Sequence, residues 1–423
     1  MQRRQLLQTF FAATASAPLL FVSSNAQSAP SQRSALDSAR WAPLNATRLH
    51  SVIEQFGSSS KSYDAKRRPY AVFDWDNTCI MNDCEEALFM HQINQLNFKF
   101  TPEELSEAVR KDLPVGPFKA EAGFVTLDKK PVHMEDLADD IAENYRKLYA
   151  QKQAGKNIDE IRESEEFKDF RAKLYFMYDA ICDSYAIEFG YKWIIYFFAN
   201  MTPAEVQAMA ELSNNRALGD ALRKVKYESS RQLPGKAGVV VASHFHGIRI
   251  HEEIRSLMQT LRANGIDVFV STASLDDVVR VFASHPNYGY GVPPENVIGL
   301  RLDMKDGKYT GNYRQGWHFN WGPGKTIGIQ HELVAKKGYD PLLVFGDSDG
   351  DAWMLRDFKG TQVGVIVNRI KKGEIGNDSQ MAANGMGERN ARFILQGRDE
   401  NTGLMIPDEK SIKYGKSERK LLA

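Results

Sequence analysis

The sequence predicts an α/β protein with a parallel central sheet and a large, mainly helical segment inserted after the first strand. From Val239 onward, short apolar runs alternate with helical segments, which is typical of a parallel sheet. Tyr70–Phe73 is a separate apolar run bounded by polar residues, and it is predicted to be a buried strand of the same sheet. The block between them, from about 85 to 234, has mostly helical periodicity, so we interpret it as an insert.

The amino terminus, residues 1–26, is predicted to be an export signal. Arg3 and Arg4 precede a moderately apolar run, and small residues at 24–26 offer a cleavage site. Paired arginines before a weak apolar core favour the twin-arginine route, with an uncleaved membrane anchor as the alternative. We therefore expect a periplasmic or secreted bacterial protein with no stable membrane partner after cleavage.

The rest of the chain divides into five segments. Their predicted bounds are 27–66 for a linker and amino-terminal helix, 67–84 for the first part of the core, 85–243 for the insert, 244–372 for the second part of the core and 373–423 for a C-terminal extension without a clear role. In the insert, helices are predicted to begin at Thr101 and Thr202, because each is a capping residue followed by Pro and acids. The charged stretch 158–171 is predicted to be a solvated helical face.

The second part of the core supplies the alternation. Helices are predicted at 254–264, 276–283 and 326–337, and strands at 266–270, 341–345 and 362–367. Asp306-Gly307 lies between two further extended runs and predicts a hairpin turn.

The composition excludes several functional classes. The 423 residues include 54 basic and 54 acidic side chains, and a net charge of zero argues against a nucleic acid or an anionic membrane as partner. Hydrophobic residues make up 43% of the chain, which is enough for a real core. The three cysteines, Cys79, Cys84 and Cys182, are too few for a disulfide scaffold or a cysteine-based metal cluster. These observations leave a small molecule as the expected partner.

Two carboxylates directly follow the first strand. Asp74 and Asp76 are two residues apart, so in an extended segment their side chains share one side. The carboxyl ends of strands are also where open α/β sheets bind ligands. A turn capped by the two aspartates is the alternative interpretation.

A second acidic cluster, Asp347–Asp351, follows the strand predicted at 341–345. Clustered carboxylates at a strand end suit a hard divalent cation. A calcium-binding loop is excluded, because Ala352 stands where that loop needs glycine and Phe358 where it needs an acid.

Two further sites carry groups that suit an anion. Ser271-Thr272 follows the strand predicted at 266–270, and a hydroxyl there either donates to a phosphate oxygen or caps the next helix. Lys325 lies at the start of a predicted helix, where a lysine suits an anion. A nucleotide-binding loop is excluded at this position, because Phe319 replaces the glycine it requires.

In this order and spacing, Asp74-x-Asp76, Thr272, Lys325 and Asp347 resemble the motifs of the haloacid dehalogenase (HAD) superfamily of aspartate-nucleophile phosphotransferases. The resemblance covers about 68–370. Within that superfamily, residues 70–78 with Glu85-Glu86, together with 264–270 and 294–299, are similar to the bacterial phosphorylcholine phosphatase group. The resemblance implies a HAD-like Rossmannoid core, with the insert forming a cap over the active site.

The resemblance also implies a role for each motif. Asp74 is expected to be the nucleophile, and Asp76 the general acid and base. Thr272 and Lys325 are expected to hold the transferring phosphoryl oxygens. The phosphate-binding residues implied are Asn77, Thr78, Thr272, Ala273 and Lys325.

Mg²⁺ is the cofactor that the resemblance implies. Its expected ligands are Asp74, the backbone carbonyl of Asp76, and Asp347. Asp351 is expected to orient Lys325 or a metal-bound water, with Asp349 as its possible substitute.

The insert contains an aromatic segment with two open interpretations. Ten aromatic side chains lie between 175 and 198. They form either the hydrophobic core of the insert or, together with Asp179, Asp183 or Glu188, a cage for a quaternary ammonium group. We therefore expect an exported Mg²⁺-dependent phosphomonoesterase acting on a small phosphate ester such as phosphorylcholine or phosphoethanolamine.

Four alternatives remain open at this stage. A phosphotransferase and an acid phosphatase of broad specificity would use the same scaffold. A zinc-dependent hydrolase would use His244 and His246, with His251 and Glu252 nearby. A non-catalytic binding protein is the fourth, although all four motifs keep chemically competent residues.

Overall fold

Six parallel strands form the central sheet of the protein, in the order β12-β11-β10-β1-β6-β7. The structure is a computed structural model that describes residue 36 and residues 38–423, so the predicted export signal lies outside the described residues. The strands are β1 Tyr70–Phe73, β2 Ile80–Met81, β3 Arg223–Glu228, β4 Val241–His246, β5 Arg249–Ile250, β6 Asp267–Leu275, β7 Val297–Leu300, β8 Leu302–Lys305, β9 Lys308–Tyr313, β10 Leu343–Gly346, β11 Val363–Val367, β12 Phe393–Gln396, β13 Arg398–Asp399, β14 Leu404–Met405, β15 Ser411–Ile412 and β16 Arg419–Lys420. The predicted α/β fold class is confirmed.

Helices cover both faces of this sheet and build the insert. They are α1 Pro43–Phe56, α2 Cys84–Gln95, α3 Pro102–Ala108, α4 Met134–Gln153, α5 Ile158–Arg162, α6 Glu165–Ser184, α7 Ile187–Tyr196, α8 Pro203–Gly219, α9 Glu252–Ala263, α10 Asp276–Ser284, α11 Pro323–Ile329, α12 Ala335–Lys337, α13 Ala352–Asp357 and α14 Glu374–Asn384. A π-helical segment, Gln330–Val334, joins α11 to α12. In the part of the chain that the structure describes, no helix is long and apolar enough to span a membrane.

Strand β1 lies at the centre of the sheet and is buried on both faces. Val72 pairs with Phe269 of β6 on one side and with Val344 of β10 on the other. Because successive side chains of a strand point to opposite faces, Ala71 and Phe73 join one hydrophobic cluster, and Tyr70 and Val72 join a second. Helices α1, α9 and α10 pack into the first cluster, and α11, α13 and α14 into the second.

The insert follows β1 and contains α2 to α8 together with the β3–β4 hairpin. Thr101 and Thr202 both begin helices, each with its side chain accepting from a backbone N–H three residues on, as their cap pattern predicts. The charged stretch 158–171 is interrupted, because Ser164 caps a new helix at Phe167 N–H. Its residues therefore belong to two helices, α5 and α6, and Phe167 is buried.

The segment 373–423 is integrated into the core. Its strand β12 pairs with β11 along the edge of the sheet, from Gly364 with Phe393 to Val367 with Gln396. Strand β6 also continues to Leu275, beyond the end predicted at 270. Because β6 extends to Leu275, Thr272 lies inside this strand and not after it.

Candidate active site

Asp74 lies at the carboxyl end of the central strand, where it is 6% exposed. Its N–H donates to the carbonyl of Phe345 at 2.9 Å, which continues the β1–β10 ladder to this residue. Lys325 Nζ donates to Asp74 Oδ1 at 2.6 Å and to Asp351 Oδ1 at 2.7 Å. Residues from β1, α11 and the loop after β10 are thus joined in one buried ion-paired group.

The position of Lys325 depends on a glycine beside it. A Cβ at Gly324 would lie 1.6 Å from the carbonyl oxygen of Phe319, so only glycine allows the chain to turn this closely into α11. The helix therefore begins directly beside the sheet edge, and its buried Lys325 side chain reaches the two aspartates.

Three carboxylates at this edge are close enough to bind one cation. Oxygens of Asp74, Asp347 and Asp351 all lie within 4.8 Å of one another, and all three residues are buried. Thr78 Oγ1 lies 2.7 Å from Asp74 Oδ2 and 3.1 Å from Asp347 Oδ1, so its hydroxyl holds two of them in place. Hard oxygen donors in this number fit Mg²⁺.

The charges of this cluster are set by burial and by neighbouring cations. Burial raises the pKa of Asp74, the charge of Asp351 raises it further, and Lys325 opposes both. Burial also acts to raise the pKa of Asp347, but Arg369 and Lys371 outweigh it, so this carboxylate is held ionised. Burial would lower the pKa of Lys325, but Asp351 and Asp74 outweigh it and keep the ammonium charged.

Asp76 has a different environment from Asp74. Its Oδ1 accepts from Cys84 N–H at 2.8 Å, and its Oδ2 accepts from Ser274 Oγ at 2.9 Å. Burial raises its pKa, while these hydrogen bonds oppose the shift. A carboxyl with a raised pKa beside the nucleophile candidate suits a group that is protonated in one step and ionised in the next.

The two hydroxyls of β6 differ in their partners. Ser271 Oγ accepts from Asn320 Nδ2 at 3.0 Å, which ties it to the core. Thr272 Oγ1 accepts from Ser274 N–H at 3.1 Å, and no described residue accepts its proton. Thr272 therefore keeps a free donor, but its side chain is buried and does not line the adjacent cavity, whereas Ala273 and Ser274 do.

A cavity of about 380 Å³ opens in front of these groups. Two sets of charged side chains line it, in addition to the carboxylates already described. We call the first the core cations, Lys325, Arg369 and Lys371. We call the second the insert acids, which are Glu85 and Asp183 of the insert together with Asp83, the residue that caps its first helix. Tyr178 and Tyr191 of the insert also line it.

The core cations and the insert acids differ in pairing. Lys325 is paired as described, and Arg369 Nη1 donates to Asp347 Oδ2 at 2.7 Å. Lys371 and all three insert acids form no ion pair with any described residue. Burial raises the pKa of Glu85 to about 8, and burial followed by repulsion from neighbouring carboxylates raises the pKa of Asp83.

Sequence reasoning missed three cations around the site. Arg369 and Lys371 lie just after β11, so the strand-end argument applied to the strand predicted at 362–367 would have found them. Arg398, from the segment taken as an extension, is 1% exposed and donates from Nη1 to the carbonyl of Asn77 at 2.9 Å. Asn77 has a left-handed backbone, with φ of 65°, so Arg398 supports a strained residue of the catalytic loop. No sequence signal marks that contact.

Four other predicted residues are placed as follows. Asn77 and Ala273 line the cavity, whereas Thr78 does not. The hydroxyl of Thr78 lies within hydrogen-bonding distance of Asp74 and Asp347. Asp349 Oδ1 accepts from Ile375 N–H at 2.9 Å and is absent from the three-carboxylate group, so the structure does not give it the place of Asp351.

The histidines considered for zinc have other partners. His244 Nδ1 lies 2.7 Å from Tyr175 Oη, and His246 Nε2 lies 2.6 Å from Tyr227 Oη. His251 Nδ1 lies 2.9 Å from the carbonyl of Thr78. Within residues 38–423, none of these histidines belongs to a group of three metal-ligating side chains.

The aromatic segment 175–198 serves mainly as core. Trp193 and Phe197 pack around Phe89, and both are fully buried. Of the ten rings, Tyr178 and Tyr191 alone line the active-site cavity. Glu188 is paired with Lys192 and lines a different cavity, so it is not part of this site.

Comparison with known proteins agrees with this geometry. A family model described as haloacid dehalogenase-like hydrolase matches residues 190–356. The phosphorylcholine phosphatase of Pseudomonas aeruginosa is 26% identical over 368 residues, which cover 81% of this chain and 84% of that protein. A crystal structure of a conserved protein of unknown function from Anaerococcus prevotii is 30% identical, with a TM-score of 0.83 over 90% of this chain and 99% of that one. The family and enzyme class predicted from the sequence are thereby confirmed: the chain contains a haloacid dehalogenase-like hydrolase domain and is an enzyme of the phosphomonoesterase class.

Proposed function

We propose that this phosphomonoesterase is Mg²⁺-dependent and acts through an aspartyl-phosphate intermediate on a small ester whose alcohol carries a positive charge. One observation supports the reaction above the others. The buried ammonium of Lys325 contacts Asp74 Oδ1 at 2.6 Å, beside two further carboxylates that can bind a cation. A nucleophile, a fixed positive charge and a cation site within one cluster are the requirements of phosphoryl transfer.

Asp74 and Asp76 have separate roles in the proposed reaction. Asp74 attacks phosphorus while the bond to the alcohol oxygen breaks, and Asp76 gives its proton to the leaving alcohol. Asp76, now ionised, takes a proton from the water that hydrolyses the aspartyl-phosphate, which restores both carboxyl groups. Hydrogen bonds from Cys84 N–H and Ser274 Oγ hold Asp76 in one orientation for both steps.

The cation site has the chemistry of a Mg²⁺ site. Asp74, Asp347 and Asp351, with the backbone carbonyl of Asp76, would hold the metal. Bound there, Mg²⁺ would offset the repulsion between Asp74 and an anionic substrate. Lys371 has no carboxylate partner among the described residues, so it is free to bind a phosphoryl oxygen.

The insert acids support a cationic alcohol group. Asp83, Glu85 and Asp183 line the cavity without a cationic partner in the described part of the chain, and Tyr178 and Tyr191 lie with them. Asp83 and Glu85 accept backbone N–H groups and have raised pKa values, so the exposed carboxylate of Asp183 is the group left to pair with a cation. A quaternary ammonium or ammonium group would supply that charge and would contact aromatic rings favourably. The similarity to a phosphorylcholine phosphatase supports the same substrate class, phosphorylcholine or phosphoethanolamine.

A phosphate-release assay on matched substrates tests both parts of the proposal. The substrates are phosphorylcholine, phosphoethanolamine and 3,3-dimethylbutyl phosphate, in which a carbon replaces the choline nitrogen. We expect activity to require Mg²⁺ after chelation, with Zn²⁺ not restoring it, and kcat/KM to be highest for the cationic esters. Equal turnover of the neutral isostere, 3,3-dimethylbutyl phosphate, would contradict the proposed preference for a cationic alcohol. It would not contradict the proposed reaction.

The nucleophile is tested with a matched pair of variants. Asp74→Asn should lower kcat by at least about a thousandfold, because it removes the attacking group. Asp349→Asn makes the same change at a residue that lines the active-site cavity, and activity should stay within about tenfold of the unmodified enzyme, since Asp349 accepts from Ile375 N–H. Full activity in folded Asp74→Asn would disprove the assignment.

A further inference from the structure

A second cavity, of about 280 Å³, lies within the insert between α2, α6, α8 and the β3–β4 hairpin. We call it the insert cavity, and it shares no lining residue with the active-site cavity. Four arginines line it, Arg162, Arg171, Arg216 and Arg223, against a single carboxylate, Asp220. This excess of positive charge contrasts with the neutral balance of the whole chain.

Two of these arginines have buried nitrogens without a partner. Arg162 donates from Nε to the carbonyl of Asn94 and from Nη1 to Asp159, each at 2.6 Å, while its Nη2 is buried and finds no acceptor among the described residues. Arg171 Nε is also buried without an acceptor there, and its guanidinium lies 4.4 Å from the ring centroid of Tyr227. A buried donor left without a partner is destabilising, so such donors point to a bound water or ion.

The other charged groups in the insert cavity do not neutralise the excess positive charge of the arginines. Asp220 lies 3.3 Å from Arg223 and also 3.3 Å from His246 Nδ1, so it is already shared. Arg171 and Arg216 form no ion pair with any described residue. His91 adds a buried ring nitrogen without a partner there, and burial, followed by Arg216 and Arg162, lowers its pKa.

We propose that the insert cavity is a second ligand site, which binds a tetrahedral oxyanion of the phosphate type, either free or as the head of an ester. Guanidinium groups bind such oxygens through paired N–H donors, and this geometry favours arginine wherever phosphate is recognised. The site is distinct from the proposed catalytic site and does not depend on the reaction assigned to it.

Calorimetric titration of the metal-free enzyme with inorganic phosphate, at constant ionic strength, tests the site. Arg216→Gln/Arg223→Gln removes two exposed charges from the insert cavity, and Arg314→Gln/Arg389→Gln removes two exposed charges elsewhere as a control. We expect one class of phosphate sites to weaken at least tenfold in the first variant and to be unchanged in the control.

A second ligand separates the two sources of the oxyanion. Methylphosphonate keeps the tetrahedral oxyanion but replaces one oxygen by a carbon group that the enzyme cannot hydrolyse. Binding as tight as that of phosphate assigns the cavity to an ester head, and binding at least tenfold weaker assigns it to free phosphate. Identical phosphate titrations of the unmodified enzyme and both variants, each folded by circular dichroism, would overturn the proposal.

Discussion

The active-site cavity and the insert cavity both contain several cations, but they pair them differently. Beside the sheet, Lys325 and Arg369 contact carboxylates at 2.6–2.7 Å. In the insert cavity, Arg171 and Arg216 contact no carboxylate of the described residues, and buried nitrogens remain without partners. In the active-site cavity, the groups without an oppositely charged partner are mainly acidic, and they are the insert acids.

This difference separates charges that organise a site from charges that are available to a ligand. Unpaired charge is costly in a low dielectric, so a fold that retains it generally places a ligand or water there. By this criterion Lys325 and Arg369 position carboxylates. The charged groups without an ion pair among the described residues are available to ligands, and they are Lys371, Asp183, Arg171 and Arg216. Each of the following predictions tests one part of this division.

The largest effect is expected from Lys325→Met. The substitution leaves Asp74 and Asp351 buried without their shared cation, and breaking such a pair costs about 3–5 kcal/mol. It also removes a charge from the proposed phosphoryl site, so kcat should fall at least about a thousandfold. Urea unfolding and phosphate release with Mg²⁺ measure the two effects.

Arg216→Gln makes a change comparable with Lys325→Met, but at a cation without an ion pair. Arg216 is exposed and forms no ion pair among the described residues, so stability should change by less than about 0.5 kcal/mol. Its kcat should stay within about twofold of the unmodified enzyme. A loss in Arg216→Gln as large as that in Lys325→Met would mean that pairing does not distinguish the two kinds of charge.

A smaller loss is expected from Arg398→Met. Arg398 holds the carbonyl and the side-chain oxygen of Asn77, at 2.9 and 3.2 Å, and so fixes the loop that carries Asp74 and Asp76. Loss of such a supporting contact is expected to lower kcat on the order of ten- to a hundredfold, with KM little changed.

Arg392→Met is the control for a merely structural effect. Arg392 lies in the same segment and donates to the carbonyls of Leu355 and Phe358, away from the catalytic loop. Both variants should lose stability, but only Arg398→Met should lose kcat at a temperature where both are folded. Equal kcat values in the two would remove the positioning role of Arg398.

The contrast between the aspartates Asp74 and Asp347, on the one hand, and Arg398, on the other, shows what the sequence could predict. Asp74 and Asp347 follow apolar runs directly, and parallel strands place their carboxyl ends at one sheet edge, so local pattern was sufficient. The Arg398 contact depends on how a segment more than three hundred residues away in sequence packs against Asn77, which no periodicity encodes.

The insert was harder to predict than the core for a similar reason. Cap residues fixed the starts of α3 and α8, because capping is a local interaction. Which of the ten aromatic rings face the substrate depends on the packing of α6 and α7 against their neighbours. Local composition therefore predicted an aromatic segment, while Tyr178 and Tyr191 emerged only from the tertiary structure.

Among the active-site variants, the smallest loss is expected from Asp183→Asn, which tests an unpaired acid. Asp183 is exposed at the cavity wall, so the variant should fold normally. An exposed ion pair with the alcohol cation is worth about 1 kcal/mol, so KM for phosphorylcholine should rise roughly fivefold. KM for 3,3-dimethylbutyl phosphate, which has no positive charge, should not change. Glu188→Gln removes another exposed carboxylate, which is paired with Lys192 outside this cavity, and it should leave both KM values unchanged. An equal rise for both esters in Asp183→Asn would mean that this residue shapes the cavity and does not recognise charge.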